Sequence, residues 1–106
     1  MQVVTQERME EALQVMARTD EPYALAVVAV ERAEILRKRI RSRIFLTSTG
    51  SNEVRKAQAE VHLDTEKADD DYLGHLEDKE KLKARREREA LVIRMYQTES
   101  ANQRQA

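Results

Sequence analysis

Thr47-Ser48-Thr49-Gly50-Ser51-Asn52 is the stretch that decides the fold. It is the one dense cluster of turn-forming residues in a chain of 106 that holds two glycines and a single proline. Sheet-rich domains consume glycine and proline at their many turns. A chain this poor in both is expected to form long helices with few connections. Gly50 suits a left-handed turn or helix C-cap. Ser51 or Asn52 can cap the following helix, with Glu53 in its first turn, where the helix dipole favours an anion. Working outward, the expected fold is all-α. It is a long antiparallel helical hairpin of a short helix, a medium helix, the loop and a very long helix. Residues 1–100 form a single domain, and 101–106 form a frayed polar tail.

The arm before the loop divides at Thr19-Asp20-Glu21-Pro22. Thr19 or Asp20 can cap a new helix, and proline is tolerated in a first turn. A first helix is therefore expected over residues 6–18, with Met9, Leu13 and Met16 on its apolar face. A second is expected over residues 21–46, with a heptad seam of Ala26, Ala29, Ala33, Leu36 and Ile40. Beyond the loop nothing stops a helix from Glu53 to about Glu99. At about 1.5 Å per residue it would reach roughly 70 Å. Val54, Ala57, Val61, Ala68, Tyr72 and Leu76 give it a broken apolar stripe.

Charged residues make up 37% of the chain, and its aromatics are Tyr23, Phe45, Tyr72 and Tyr96. That describes a narrow apolar stripe on a solvated surface, with little core to offset the entropy of ordering. The run from Ala24 to Val30 is apolar on every face, and one neighbouring helix cannot cover it. Self-association into an oligomeric helical bundle or ring follows, with Leu25, Val27, Val28, Val30, Tyr72, Leu73 and Leu76 as its expected interface. The chain has no cysteine, which fits a reducing compartment. No secretory leader is read at the start, and Ala24–Val30 is too short to span a bilayer. A cytoplasmic location is expected.

The net charge of −1 hides a pattern. Residues 1–21 hold five acidic and two basic side chains, residues 22–56 three and eight, residues 57–80 nine and two, and residues 81–106 three and seven. A loop centred on Thr49–Gly50 sets residue i of one arm near residue 99 − i of the other. Residues 5–18 then face 81–94, acidic against basic. The run Arg37-Lys38-Arg39-Ile40-Arg41-Ser42-Arg43 faces 56–62, close to Arg55 and Lys56. It is expected to be almost unneutralised, with only Glu60 offsetting it, the acidic block 64–71 unable to reach most of it, and Asp69, Asp70 and Asp71 turned outward.

Like charges crowded in this way repel unless a partner supplies anions. Arrays of Lys and Arg bind phosphate backbones with a salt-dependent, sequence-independent affinity. The Ser/Thr/Gly loop and the next helix N-terminus add hydroxyl and N–H donors. Arg37, Lys38, Arg39, Arg41, Arg43, Arg55 and Lys56 are therefore the expected nucleic-acid contacts. The competing readings are ion pairs to another subunit or an inert solvated face. Phe45 and Tyr72 are too few for a stacking platform, so backbone contact without sequence preference is expected.

Catalysis is not expected. There is no nucleophile–base–acid arrangement and no glycine-rich phosphate loop, and a thin hairpin offers no concave pocket. No cofactor is called for. His62 with Glu66 and Asp71 with His75 are pairs four apart, but two ligands do not make a metal site. The rival to nucleic acid is a coiled-coil interaction module, an inhibitor or adaptor from a mobile element, whose acidic residues 64–80 could imitate nucleic acid.

One resemblance bears on the choice. Ala33-Glu34-Ile35-Leu36-Arg37-Lys38-Arg39, the loop Thr47 to Asn52, Arg55-Lys56-Ala57-Gln58-Ala59-Glu60 and the closing Tyr96-Gln97-Thr98-Glu99-Ser100-Ala101-Asn102 together resemble small helical proteins of bacteriophage recombination modules. The nearest named group is the UvsY-like recombination mediators. The likeness spans about two-thirds of the chain and contains no strict motif. It implies an oligomer that binds single-stranded DNA and helps load a recombinase beside a single-strand-binding protein. It would place DNA contact on residues 37–43 and on Arg55-Lys56, in the cytoplasm of a bacterial host. UvsY proteins carry further chain after the long helix, where this sequence stops.

Overall fold

The computed structural model describes residues 3–105, and within them the protein is all-helical with no strand. Three helices follow one another: α1 (Gln6–Thr47), α2 (Asn52–Val61) and α3 (Leu63–Gln105). The loop after α1 behaves as its sequence suggests. Gly50 takes a φ of 111°, and the Ser51 hydroxyl caps α2 by accepting from the Val54 N–H at 3.3 Å. Thr5 likewise caps α1, its hydroxyl accepting from the Arg8 N–H at 3.1 Å.

Two expectations are corrected. First, α1 does not restart at Thr19–Pro22; it runs unbroken through Pro22. Proline withholds one N–H and crowds the carbonyl four residues back. Here a side chain from the other end of the chain supports the same turns. Arg86 donates through Nη1 to the Met16 carbonyl (3.0 Å) and the Thr19 hydroxyl (2.7 Å), and through Nη2 to Asp20 (2.5 Å). Thr19 in turn donates to the Val15 carbonyl at 2.7 Å. Thr19 is thus a buried helix-interior residue, not a cap.

Second, the arm after the loop is not one helix. His62 adopts extended backbone (φ −66°, ψ 141°) between α2 and α3. Its Nδ1 accepts from the Asp64 N–H at 3.0 Å and its carbonyl from the Glu66 N–H at 3.1 Å. The imidazole therefore works as a cap for α3. The apolar stripe shifts with the break. Ala59, Thr65 and Ala68 are buried, while Val61 is 82% exposed. At its other end α3 continues to Gln105 through the polar residues expected to fray.

The chain forms two compact units, to both of which α1 and α3 contribute. One comprises Met1–Ala24 and Glu80–Ala106; the other is Leu25–Lys79. In the first, the buried apolar residues are Val4, Ala12 and Val15. Leu13, expected on the apolar face, is 48% exposed. Polar contacts do the rest. Arg8 grips Glu89 at 2.7 Å, and the Val4 N–H donates to Glu99 at 3.1 Å. Acidic and basic segments do meet here, through Asp20 and Arg86. The pair of half-buried Arg8 and buried Glu89 runs with the opposite polarity to the one the charge blocks suggest. Hydrogen bonding to Arg8 holds the Glu89 carboxyl below its usual 4.5 and raises the guanidinium in return.

In the second unit the buried apolar residues are Val30, Ala59 and Ala68. None is larger than valine, so helices approach closely but little apolar area leaves water.

Candidate nucleic-acid interface

The basic residues at the loop end come from the last three turns of α1 and the first turns of α2. In α2 the hairpin register holds. Arg55 lies 5.5 Å over the Phe45 ring, and Arg41 reaches Glu60 at 3.0 Å. Beyond the His62 break the register slips. Arg37 and Arg41 both meet Asp69, at 3.8 and 2.5 Å, where an unbroken hairpin would have offered residues 62 and 58.

That slip corrects the electrostatics. Asp69 points inward, contrary to expectation, and reaches two of the seven cations. Arg41 is held by two carboxylates, and its pKa rises chiefly through the hydrogen bond to Asp69, then through that to Glu60. The same Arg41 contact holds the Asp69 carboxyl below its usual 3.8, with Arg37 adding a smaller pull. Arg37 also stacks on Tyr72, 4.1 Å from the ring centre. Lys38 pairs with Glu34 at 3.4 Å on the exposed side of α1. Three of the seven expected contacts are therefore neutralised within the chain.

The other four are placed differently. Arg39, Arg43 and Lys56 form no ion pair among the described residues, and all three are exposed. Arg55 is half-buried against Phe45, and its buried Nε has no hydrogen-bond partner there. Beside it lies an open groove of about 650 Å³, lined by Arg41, Ser42, Phe45, Leu46, Lys56 and Glu60 with Ala59. Phe45 lies under one of the cations and lines the groove. It sits between Arg55 and the groove, a placement that the position of one phenylalanine in the sequence does not signal.

The residues expected at a subunit interface divide as well. Leu25, Val28 and Leu73 are exposed (62, 41 and 56%). Val27 and Leu76 are half-buried, and so is Tyr72 beneath Arg37. Val30 is 7% exposed and belongs to the chain's own core. Sequence reasoning left out Ile35, Leu46 and Leu63 and placed Leu36 in the internal seam; all four are at least half exposed.

Among the described residues no group of three or more His, Asp or Glu is placed to hold a metal ion, and no helix is long and apolar enough to cross a membrane. No protein-family model, curated protein or solved structure matches the chain.

Proposed function

We propose that this protein is a non-enzymatic accessory protein that binds the phosphate backbone of single-stranded nucleic acid at its loop end and works as an assembly of copies. The observation that carries this reading is selective neutralisation. Arg37, Lys38 and Arg41 are paired in the chain, while the adjacent Arg39, Arg43 and Lys56 are left without a carboxylate. Free cations crowded at one end repel one another, and a polyanion removes that repulsion. The paired arginines brace the helices against each other and hold the free cations in place. The role agrees with what the resemblance to UvsY-like mediators implies, DNA contact in phage recombination or replication beside a recombinase.

The test is fluorescence anisotropy of a labelled single-stranded oligonucleotide over a salt series. Three phosphate contacts per copy give a slope of log K against log salt of about −2 for a single strand. The double variant Arg39→Glu, Arg43→Glu should abolish binding with the far-ultraviolet circular dichroism unchanged. No binding at low salt, or binding indifferent to salt, overturns the reading.

One observation favours a second reading. With Arg37 and Arg41 neutralised, the Leu25–Lys79 unit still exposes nine large apolar side chains. A protein-interaction module that ignores nucleic acid and captures one partner protein has that surface. The anisotropy experiment separates the two.

A further inference from the structure

The chain exposes too much surface for its mass. A folded monomer of 12.3 kDa exposes about 6,100 Å² by the usual scaling of surface with mass, and this one exposes 7956 Å². The difference exceeds the roughly 800 Å² that each partner buries in a standard interface.

One face of the Leu25–Lys79 unit holds three of its nine uncovered large apolar residues. It is a strip along α1 and α3 made of two adjoining grooves that share Leu36, Ala68 and Asp71. Leu25, Val28 and Leu36 lie along it, exposed by 62, 41 and 51%. Asp64 and Asp71 line it together with Arg32, Arg43 and Lys67, so it carries both signs, as a surface that meets its own copy must. The charges of the strip have a definite order. Arg32 lies one turn before Leu36 on α1, and Asp64 one turn before Ala68 on α3. Because the two helices run antiparallel in this unit, Arg32 and Asp64 sit at opposite ends of the strip. Each is about 6 Å along its helix from the centre.

That order is self-complementary. We propose that this strip is the surface on which a second copy of the chain docks, antiparallel, about a two-fold axis passing near Leu36 and Ala68. The rotation lays Leu36 against Leu36 and exchanges the ends, so that Arg32 of each copy meets Asp64 of the other. Asp71 comes near Lys67 of the second copy. A two-fold contact requires one patch that complements itself, and a strip with its opposite charges equidistant from the centre meets that requirement. Neither Arg32 nor Lys67 has an ion-pair partner among the described residues, so both are available to the second copy. Of the three free cations only Arg43 lines the strip; Arg39 and Lys56 do not, and this proposal does not rest on nucleic-acid binding.

The experiment is sedimentation equilibrium of the full chain without nucleic acid, over roughly 1–100 µM. The wild type should weigh about twice 12.3 kDa at the upper end. Arg32→Asp and Asp64→Arg should each raise the dissociation constant about tenfold or more, since each sets like charges against each other. The double variant restores opposite charges and should recover most of that loss. Both residues are exposed, and unchanged circular dichroism will show that each variant folds. A wild type that stays monomeric, a mass that neither reversal lowers, or a double variant no better than the singles overturns the proposal.

Discussion

The two units of this chain hold their helices together by different means. In the unit of Met1–Ala24 and Glu80–Ala106, polar groups meet across the helix pair and satisfy one another. Arg86 reaches a carbonyl, a hydroxyl and a carboxylate, and Arg8 closes on a Glu89 that is 7% exposed. In the Leu25–Lys79 unit, the ion pairs between helices among the described residues are those of Arg37 and Arg41 with Asp69 and Glu60. That unit carries nine of the thirteen large apolar side chains exposed among the described residues; the other carries four. The same kind of sequence, helical and more than a third charged, thus gives one unit closed largely by polar contacts and one that leaves more large apolar side chains exposed. Both proposed contacts, with a second copy and with a phosphate backbone, use residues of the second.

The sharpest way to break this contrast is Arg86→Ala. It removes charge-assisted hydrogen bonds worth about 1.5–3 kcal/mol and a cation over Tyr23 at 5.5 Å. The expected loss is about 2–3 kcal/mol, roughly 10 °C or more in Tm for a chain of this size. Amide hydrogen exchange should rise first around residues 15–23, while the turns around Arg37 and Arg41 keep their protection. Uniform loss of protection along both stretches would show that the two units do not differ in the way described. Arg86→Lys should recover only part of the loss, because one ammonium cannot span three acceptors.

Pro22 marks what sequence can and cannot deliver here. The scarcity of glycine and proline made the helices legible, and Thr47–Asn52 made the loop legible, because turn and cap chemistry is local. Pro22 read as a restart because the group that supports an unbroken helix, Arg86, lies far along the chain. His62 carried no warning, since histidine has no marked preference for breaking a helix and its cap uses its own ring. Once that break was missed, the register of α3 was misplaced. Asp69 then looked outward-facing, and the seven cations looked equally free. The four that remain outside carboxylate pairs are a subset of those named from sequence. The division between paired and free needs the register.

Acid tests both units together. Glu89 and Asp69 are each held below their unfolded values of 4.5 and 3.8, first by hydrogen bonds to Arg8 and Arg41 respectively. A lowered carboxylate gives stability that is fully present above its unfolded pKa and is lost as pH falls through its folded pKa. Thermal stability should therefore be flat from neutral pH to about pH 5 and fall below about pH 4. Glu89→Gln should flatten part of that fall, and hydrogen exchange should assign that part to the first unit. A Tm that holds to pH 2 would mean that neither ion pair matters in solution.

The smallest effects come from the two glycines, both in the Leu25–Lys79 unit, and they probe whether its structure is demanded or merely permitted. Gly50 has φ 111°, and a Cβ there would meet Val54 Cγ1 at 3.2 Å. Gly50→Ala should therefore cost about 1–2 kcal/mol. At Gly74 a Cβ would meet nothing within 4 Å, in the interior of α3. Gly74→Ala should raise stability by about 0.5–1 kcal/mol, the helix preference of alanine over glycine. Measured by urea unfolding at low protein concentration, the two substitutions should move the midpoint in opposite directions. Should Gly74→Ala also destabilise, the second unit would be packed as closely at that position as the first is around Arg86, and the contrast between the units would fail there.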